Sequence, residues 1–182
     1  KMRLEIGDSD LREQMYRFSP ITAAEASTVL RWRYHDLTYL LQPVAENFDR
    51  DLAAMLRPEY HYYAVSDDSD TGGALVGFCC YGEDAQVVGG NYTAPALDVG
   101  LGLRPDLVGQ GRARAFLQAV LDWGNEQFAP EMFRCTVAAA NPRSQRMFAR
   151  AGFMTVQRFA ALDMTGFDFI VMVRMADAVT SG

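Results

Sequence analysis

At 182 residues the chain has the size of one domain, and an apolar share of 49% suffices for a sizeable core. A net charge of −6 argues against a nucleic-acid binder, whose affinity would rest on a basic face. No apolar run approaches the roughly 20 residues of a membrane span, and no secretory signal is visible, so neither a membrane partner nor export is expected.

Residues 1–14 are polar and lack a period, and are read as an N-terminal extension outside the fold. Residues 15–182 are read as a single domain. Met15 to Phe18 is a candidate first strand. Thr22-Ala23-Ala24-Glu25 has the form of a capping box, in which hydroxyl and carboxylate each satisfy an orphan N–H, and it predicts a helix through about Trp32. The aromatic stretch Trp32 to Pro43 breaks that pattern before a second helix from about Val44 to Leu56, with Pro43 suited to its first turn. Tyr60 to Val65 and Ala74 to Tyr81 read as a hairpin around the polar turn SDDSDTGG. A longer connection, Glu83 to Pro95, leads into the strand Leu97 to Leu103, where Gly100 and Gly102 mark either a bulge or a close approach to the backbone.

A loop with Gly109 and Gly111 follows, and then a helix from near Arg112. Ala113, Phe116, Leu117, Val120, Leu121, Gly124 and Phe128 recur on one face of that helix at helical spacing. Phe133 to Ala138 alternates as a strand. Asn141 caps a helix with Pro142 at its first position and Gly152 just past its end. Phe153 to Leu162 and Phe167 to Met175 close the order as two strands, and the whole is an α/β arrangement with a mixed sheet.

A glycine-rich loop between a strand and a helix N-terminus points main-chain N–H groups at an anion. A Walker loop would need Lys and Ser/Thr after Gly111, and a dinucleotide fingerprint would need Gly or Ala where Arg114 stands, so both readings fail. Val108-Gly109-Gln110-Gly111-Arg112-Ala113 resembles the coenzyme-A pyrophosphate loop [Q/R]-x-x-G-x-[G/A] of the GNAT acyltransferase superfamily, departing from it at Val108. Asn141 to Phe153 resembles the second motif of that superfamily, and the two motifs together span Leu97 to Phe153.

The resemblance implies a GNAT-like mixed, mostly antiparallel sheet flanked by helices, with a splayed strand pair holding acyl-CoA. It implies acetyl-CoA as cosubstrate, no metal, and a primary amine of a small molecule or a peptide N-terminus as acceptor, and it admits a homodimer. The cofactor-binding residues would be Leu101, Gly102, Leu103, Val108, Gly109, Gln110, Gly111, Arg112, Ala113, Asn141, Ser144 and Phe148. In this family the pantetheine arm lies along the strand, which would account for Gly100 and Gly102, and Val108 would contribute chiefly its main-chain N–H. The connection after the first helix overhangs the acceptor, making Trp32, Tyr34, His35 and Tyr39 candidate pocket residues, unless they simply cover core.

The N–H near Leu101 would stabilise the developing oxyanion. Asp98 is either the general base or the partner of an arginine such as Arg104 or Arg134, with Glu83 and His35 as further candidates for the base. Phe148 stands where many members carry a tyrosine that protonates the departing thiolate, and it has no hydroxyl to give. Arg112, Arg114, Arg143, Arg146 and Arg150 cluster at the two helices nearest the loop, which suits the phosphates, although Lys1 is the only lysine and arginine is used throughout. The expected activity is N-acetyl transfer, and the alternative is a non-catalytic acyl-CoA-binding or sensing domain. Cys79, Cys80 and Cys135, odd in number and set in apolar runs, fit reduced thiols in the cytoplasm. Neither His35 nor His61 stands in a cluster with metal-ligand spacing.

Overall fold

The computed structural model describes residues 16–34, 45–67 and 73–177. Strands β1 (Tyr16–Pro20), β2 (Tyr63–Asp67), β3 (Ala74–Tyr81), β4 (Leu97–Leu103), β5 (Met132–Ala138), β6 (Met154–Ala160) and β7 (Asp168–Met175) form one sheet in the order β1-β2-β3-β4-β5-β7-β6. Every neighbouring pair is antiparallel except β4 with β5. The helices are α1 (Ala23–Leu30), α2 (Phe48–Met55), α3 (Ala113–Phe128) and α4 (Pro142–Arg150).

Local chemistry explains the helix starts. The Thr22 hydroxyl accepts from the Glu25 N–H while the Glu25 carboxylate accepts from the Thr22 N–H, so the capping box is complete. Asn141 Oδ1 accepts from the Ser144 N–H at 3.0 Å, and Pro142 occupies the first turn of α4, where no intrahelical donor is needed. The predicted second helix is shorter than expected: a 3-10 turn over 45–47 precedes α2, and Val44 and Pro43 fall outside the described residues. The strand expected from Tyr60 begins instead at Tyr63, because Pro58 opens a 3-10 turn that His61 ends in the left-handed region at φ 46.

The sheet buries both faces. Successive residues of a strand point to opposite sides, so Ala64 joins the core under α1 and α2 (Ile21, Ala26, Val29, Leu30, Met55) while Val65 joins the larger core under α3. There Phe116, Leu117, Val120 and Leu121 present the predicted face of α3 to Val76, Val99 and Phe133. Full burial of a side chain such as Phe116 stabilises by about 1.5–3 kcal/mol.

Candidate active site

The feature that makes a site is incomplete pairing. β4 and β5 are in register only at Leu97↔Phe133 and Asp98↔Arg134 and then part, whereas β3 follows β4 through Leu103. Alternate main-chain groups of residues 99–103 therefore lack a strand partner on the β5 side. A cavity of about 530 Å³ opens there, walled by Val99 to Leu103 on one side and by Cys135 to Ala138 on the other. That volume falls within the usual range for small-molecule sites.

At the fork, Asp98 and Arg134 are 2% and 4% exposed and make a two-pronged ion pair, Nε to Oδ1 at 2.6 Å and Nη2 to Oδ2 at 2.7 Å. Gln86 also donates to Oδ2, Arg134 donates to the Ala94 carbonyl, and the guanidinium lies 4.9 Å from the centre of the Tyr92 ring. Of the two readings of Asp98, base or arginine partner, the ion pair is what the structure shows: both its oxygens are engaged, and it is absent from the cavity walls. Arg134 is the partner, while Arg104 instead holds Asp106 and the Leu75 carbonyl.

Beyond β4 the 3-10 turn Pro105–Leu107 leads into the glycine loop. Gly109 and Gly111 have φ of +85 and +80, and nothing lies within 4 Å of where a Cβ would stand on either. The positive φ at both positions favours glycine, and the space beside them leaves the backbone bare. The first intrahelical bond of α3 runs from the Phe116 N–H to the Arg112 carbonyl, so the amides of residues 113–115 precede the ladder and supply donors and positive dipole at the same end.

Two loop residues are engaged within the fold. The Val108 N–H bonds the Pro105 carbonyl at 3.2 Å, closing the turn. The Arg112 guanidinium reaches back to Asp67, 2.8 Å from Oδ2. Asp67 had the look of a polar turn residue, but it is the last residue of β2 and is fully buried. The side chain of Arg112 thus ties the loop to the sheet.

Of the other expected residues, Leu101, Gly102, Leu103, Val108, Gly109, Ala113, Asn141, Ser144 and Phe148 line the cavity, whereas Gln110, Gly111 and Arg112 are not among its walls. Gln110 Nε2 bonds the Asp106 carbonyl instead. Arg143 lines the cavity, whereas Arg114, Arg146 and Arg150 are exposed and do not. Phe148 is buried edge-on against Phe153, ring centres 5.1 Å apart.

The close approach at Gly102 has a second cause. A Cβ there would stand 2.4 Å from Cε1 of Phe78, and one at Gly100 would stand 2.8 Å from Sγ of Cys80. The bare strand lets the Phe78 ring lie across it. Phe78, Trp32, Tyr34, Tyr62, Asp51, Met55 and Asp84 wall the half of the cavity between the sheet and the α1/α2 pair. Trp32 and Tyr34 were expected there, and the Tyr34 hydroxyl donates to the Leu103 carbonyl at 2.9 Å. His35 and Tyr39 lie outside the described residues. Glu83 is exposed, and its neighbour Asp84 is the one that reaches the cavity. Nothing in the sequence pattern had marked Tyr62, Phe78 or Asp84.

A family profile described as acetyltransferase (GNAT) domain matches residues 9–154, most of the chain. The chain belongs to the GNAT acetyltransferase family. Among solved structures with this GNAT fold, a spermidine N-acetyltransferase chimera from Vibrio cholerae and hSSAT superposes with a TM-score of 0.69 at 16% identity, covering 89% of this chain and 96% of that one. The spermidine N-acetyltransferase from Vibrio cholerae in complex with CoA and spermine gives 0.66 at 14% identity, covering 89% and 96%. A GNAT-family acetyltransferase from Bacillus anthracis gives 0.67 at 13%, covering 90% and 96%. No curated protein sequence matches the chain significantly. Among the described residues no helix is long and apolar enough to cross a membrane, and no group of three or more His, Cys, Asp or Glu side chains could hold a metal ion.

Proposed function

We propose that the protein moves an acetyl group from acetyl-CoA to a primary amine of a small molecule or of a peptide or protein N-terminus. The observation that carries this reading is the parting of β4 from β5 beside a loop whose two glycines leave their outer faces open. The residues fit the cosubstrate. Gly109, Gly111 and the amides of residues 113–115 would hold its pyrophosphate, β4 from Leu101 to Leu103 its extended arm, and Val108, Ala113, Asn141, Ser144 and Phe148 the walls around it. Gln110 and Arg112 would act by shaping the loop.

Acetyl-CoA supplies an acyl carbon activated as a thioester. In the transfer the ammonium first gives a proton to solvent, the free amine nitrogen forms the C–N bond and gives up a second proton, the C–S bond breaks, and the thiolate takes a proton from solvent, so that one proton is released overall. The chain's part is to exclude competing water, hold the amine at the opening between the strands and present a main-chain N–H near Leu101 to the developing oxyanion. Phe148 gives no proton, which a thiol with an ordinary pKa near 8.5 tolerates.

The second reading, an acyl-CoA-binding or sensing domain without turnover, draws on the same Phe148 and on the engagement of Asp98 by Arg134. Thiol release separates the two: free CoA should appear when acetyl-CoA and a panel of amines are mixed with the protein, and binding without release would favour the sensor. CoA at a hundredfold excess over its dissociation constant should stabilise the fold by about 2.7 kcal/mol, and ATP or NAD much less. Equal thermal shifts with CoA and ATP would remove the cofactor assignment. A cytoplasmic location is the companion reading, supported by Cys79, Cys80 and Cys135 as buried free thiols. A single domain over 15–182 and a homodimer complete the proposal.

A further inference from the structure

The half of the cavity facing α1 and α2 has a chemistry of its own. Phe78 lies over Gly102, with the Tyr62 ring stacked beside it at 6.2 Å and 21° and the Trp32 ring at 6.2 Å on another side. Met55 and Leu30 add aliphatic wall. Two carboxylates reach the same space, and they differ. Arg50 donates to Oδ1 of Asp51 through both Nε and Nη2, which compensates that charge. Asp84 forms no ion pair among the described residues: Arg57, whose charge reaches it, is itself held by Glu59, and the Oδ2 of Asp84 accepts the Tyr62 hydroxyl. Burial holds the Tyr62 phenol well above its ordinary value, so it stays a donor and fixes the carboxylate without neutralising it.

We infer that this site, resting on the acetyl-transfer reading above, takes a monoamine with an aromatic or bulky apolar body, its ammonium met by Asp84 and its body by Phe78, Tyr62 and Trp32. A linear polyamine carries several cationic nitrogens along a flexible chain and needs a carboxylate for each one that is removed from water. The described residues of this half offer one carboxylate without an ion pair and four aromatic rings, those of Trp32, Tyr34, Tyr62 and Phe78. An arylalkylamine satisfies both features, because its single charge is paired and its ring gains offset or edge contacts. The preference is thus set by Asp84, Tyr62 and Phe78, and it differs from the polyamine for which the spermidine N-acetyltransferases above are named.

The test compares 2-phenylethylamine with spermidine, by thiol release and by calorimetric binding to the CoA-loaded protein, in the wild type and in Asp84→Asn and Tyr62→Phe. In the wild type kcat/KM should be at least about tenfold higher for 2-phenylethylamine, and Asp84→Asn should raise its KM or Kd at least about tenfold, as loss of a hydrogen bond to a charged group implies. CoA affinity should stay unchanged, and Tyr62→Phe should weaken amine binding less. Asp84 is exposed, so its conservative replacement keeps the fold. Tight, Asp84-dependent binding of 2-phenylethylamine without thiol release refutes acetyl transfer and supports this site. Spermidine used or bound as well as 2-phenylethylamine, no binding of either amine, or an unaltered amine KM in Asp84→Asn overturns it.

Discussion

Asp98→Asn should cost stability and leave chemistry intact. In the native fold the Asp98 carboxylate accepts from Arg134 at 2.6 and 2.7 Å and from Gln86 at 2.8 Å, with both charged side chains almost wholly withdrawn from water. An amide in its place keeps one accepting oxygen, faces the remaining donors with an NH₂, and leaves the buried guanidinium without a countercharge. Breaking such a pair by removing one partner typically costs about 3–5 kcal/mol. For a domain of this size that is a fall in melting temperature of roughly 6–20 °C. Arg134→Met should cost a similar amount, while Asp98→Leu combined with Arg134→Met should recover most of it, because apolar replacement of a whole buried pair is often neutral or stabilising. Urea unfolding of the wild type, the two single variants and the double variant measures the coupling. Thiol release per folded molecule across pH measures the chemistry. A base contributes about 10²–10⁴ in rate. If Asp98→Asn unfolds at the wild-type urea concentration but loses turnover on that scale, with a displaced acidic limb, the structural role is refuted and Asp98 is the base after all.

Gly111→Val should fold and lose CoA binding in calorimetry, since its side chain would fill the open cradle and its φ of +80 strains a β-branched residue; Gly109→Ala should be milder, and unchanged CoA affinity in a folded Gly111→Val protein would make the loop purely structural. Asp67→Asn should raise the KM for acetyl-CoA several-fold with kcat nearly constant, because Arg112 would lose the buried anchor that sets the loop; an unchanged KM would show that the loop holds its shape alone. Phe148→Tyr should keep the fold and raise turnover or leave it unaltered, whereas a strong fall with intact CoA binding would mean that the wall there is shaped for the acceptor. Burial pushes the Cys80 thiol up from 9.0 to about 12, and burial pushes Cys79 and Cys135 upward too. Their stabilising contribution is complete below pH 9, where folded and unfolded thiols are both neutral. It is lost as pH rises toward 12, because only the unfolded chain ionises first. Thiol titration should find no reactive cysteine in the native protein at pH 8 and three after unfolding, and alkaline urea melts should show the midpoint falling above pH 9.

What could be read from sequence was what is local. The capping box at Thr22 and Glu25, the apolar face of α3, the Asn141-Pro142 start of α4 and the bounds of β4 all depend on residues within a few positions of one another. The loop glycines were legible because left-handed backbone has few alternatives to glycine. Asp67 was not, since a carboxylate in SDDSDTGG looks solvated until a strand 45 positions before Arg112 brings the two together. Asp98 had two readings, base or ion pair, and only the parallel register of β4 with β5 places Arg134 opposite it. Tyr62, Phe78 and Asp84 meet across three separate segments, and no spacing rule links them. Gly102 carried the right signal, a close approach, but the Phe78 ring across the strand is a contact between neighbours in the sheet that the chain order hides.

The position of β7 between β5 and β6 bears on how the chain assembles during synthesis. β7 is the last of the seven strands to leave the ribosome, yet it is an interior strand, in register with β5 over seven residue pairs from Met132↔Met175 to Ala138↔Phe169 and with β6 on its other edge. Until residues 168–175 emerge, β5 and β6 can each present an unpaired edge, and the cleft wall formed by β5 has no support on its outer side. The β1 to β4 half can zip early through antiparallel neighbours, whereas the β5 half must wait for its centre. A nascent chain halted before Asp168 therefore carries two open edges and an incomplete cleft, a species prone to edge-to-edge aggregation and dependent on chaperone cover until the final strand inserts.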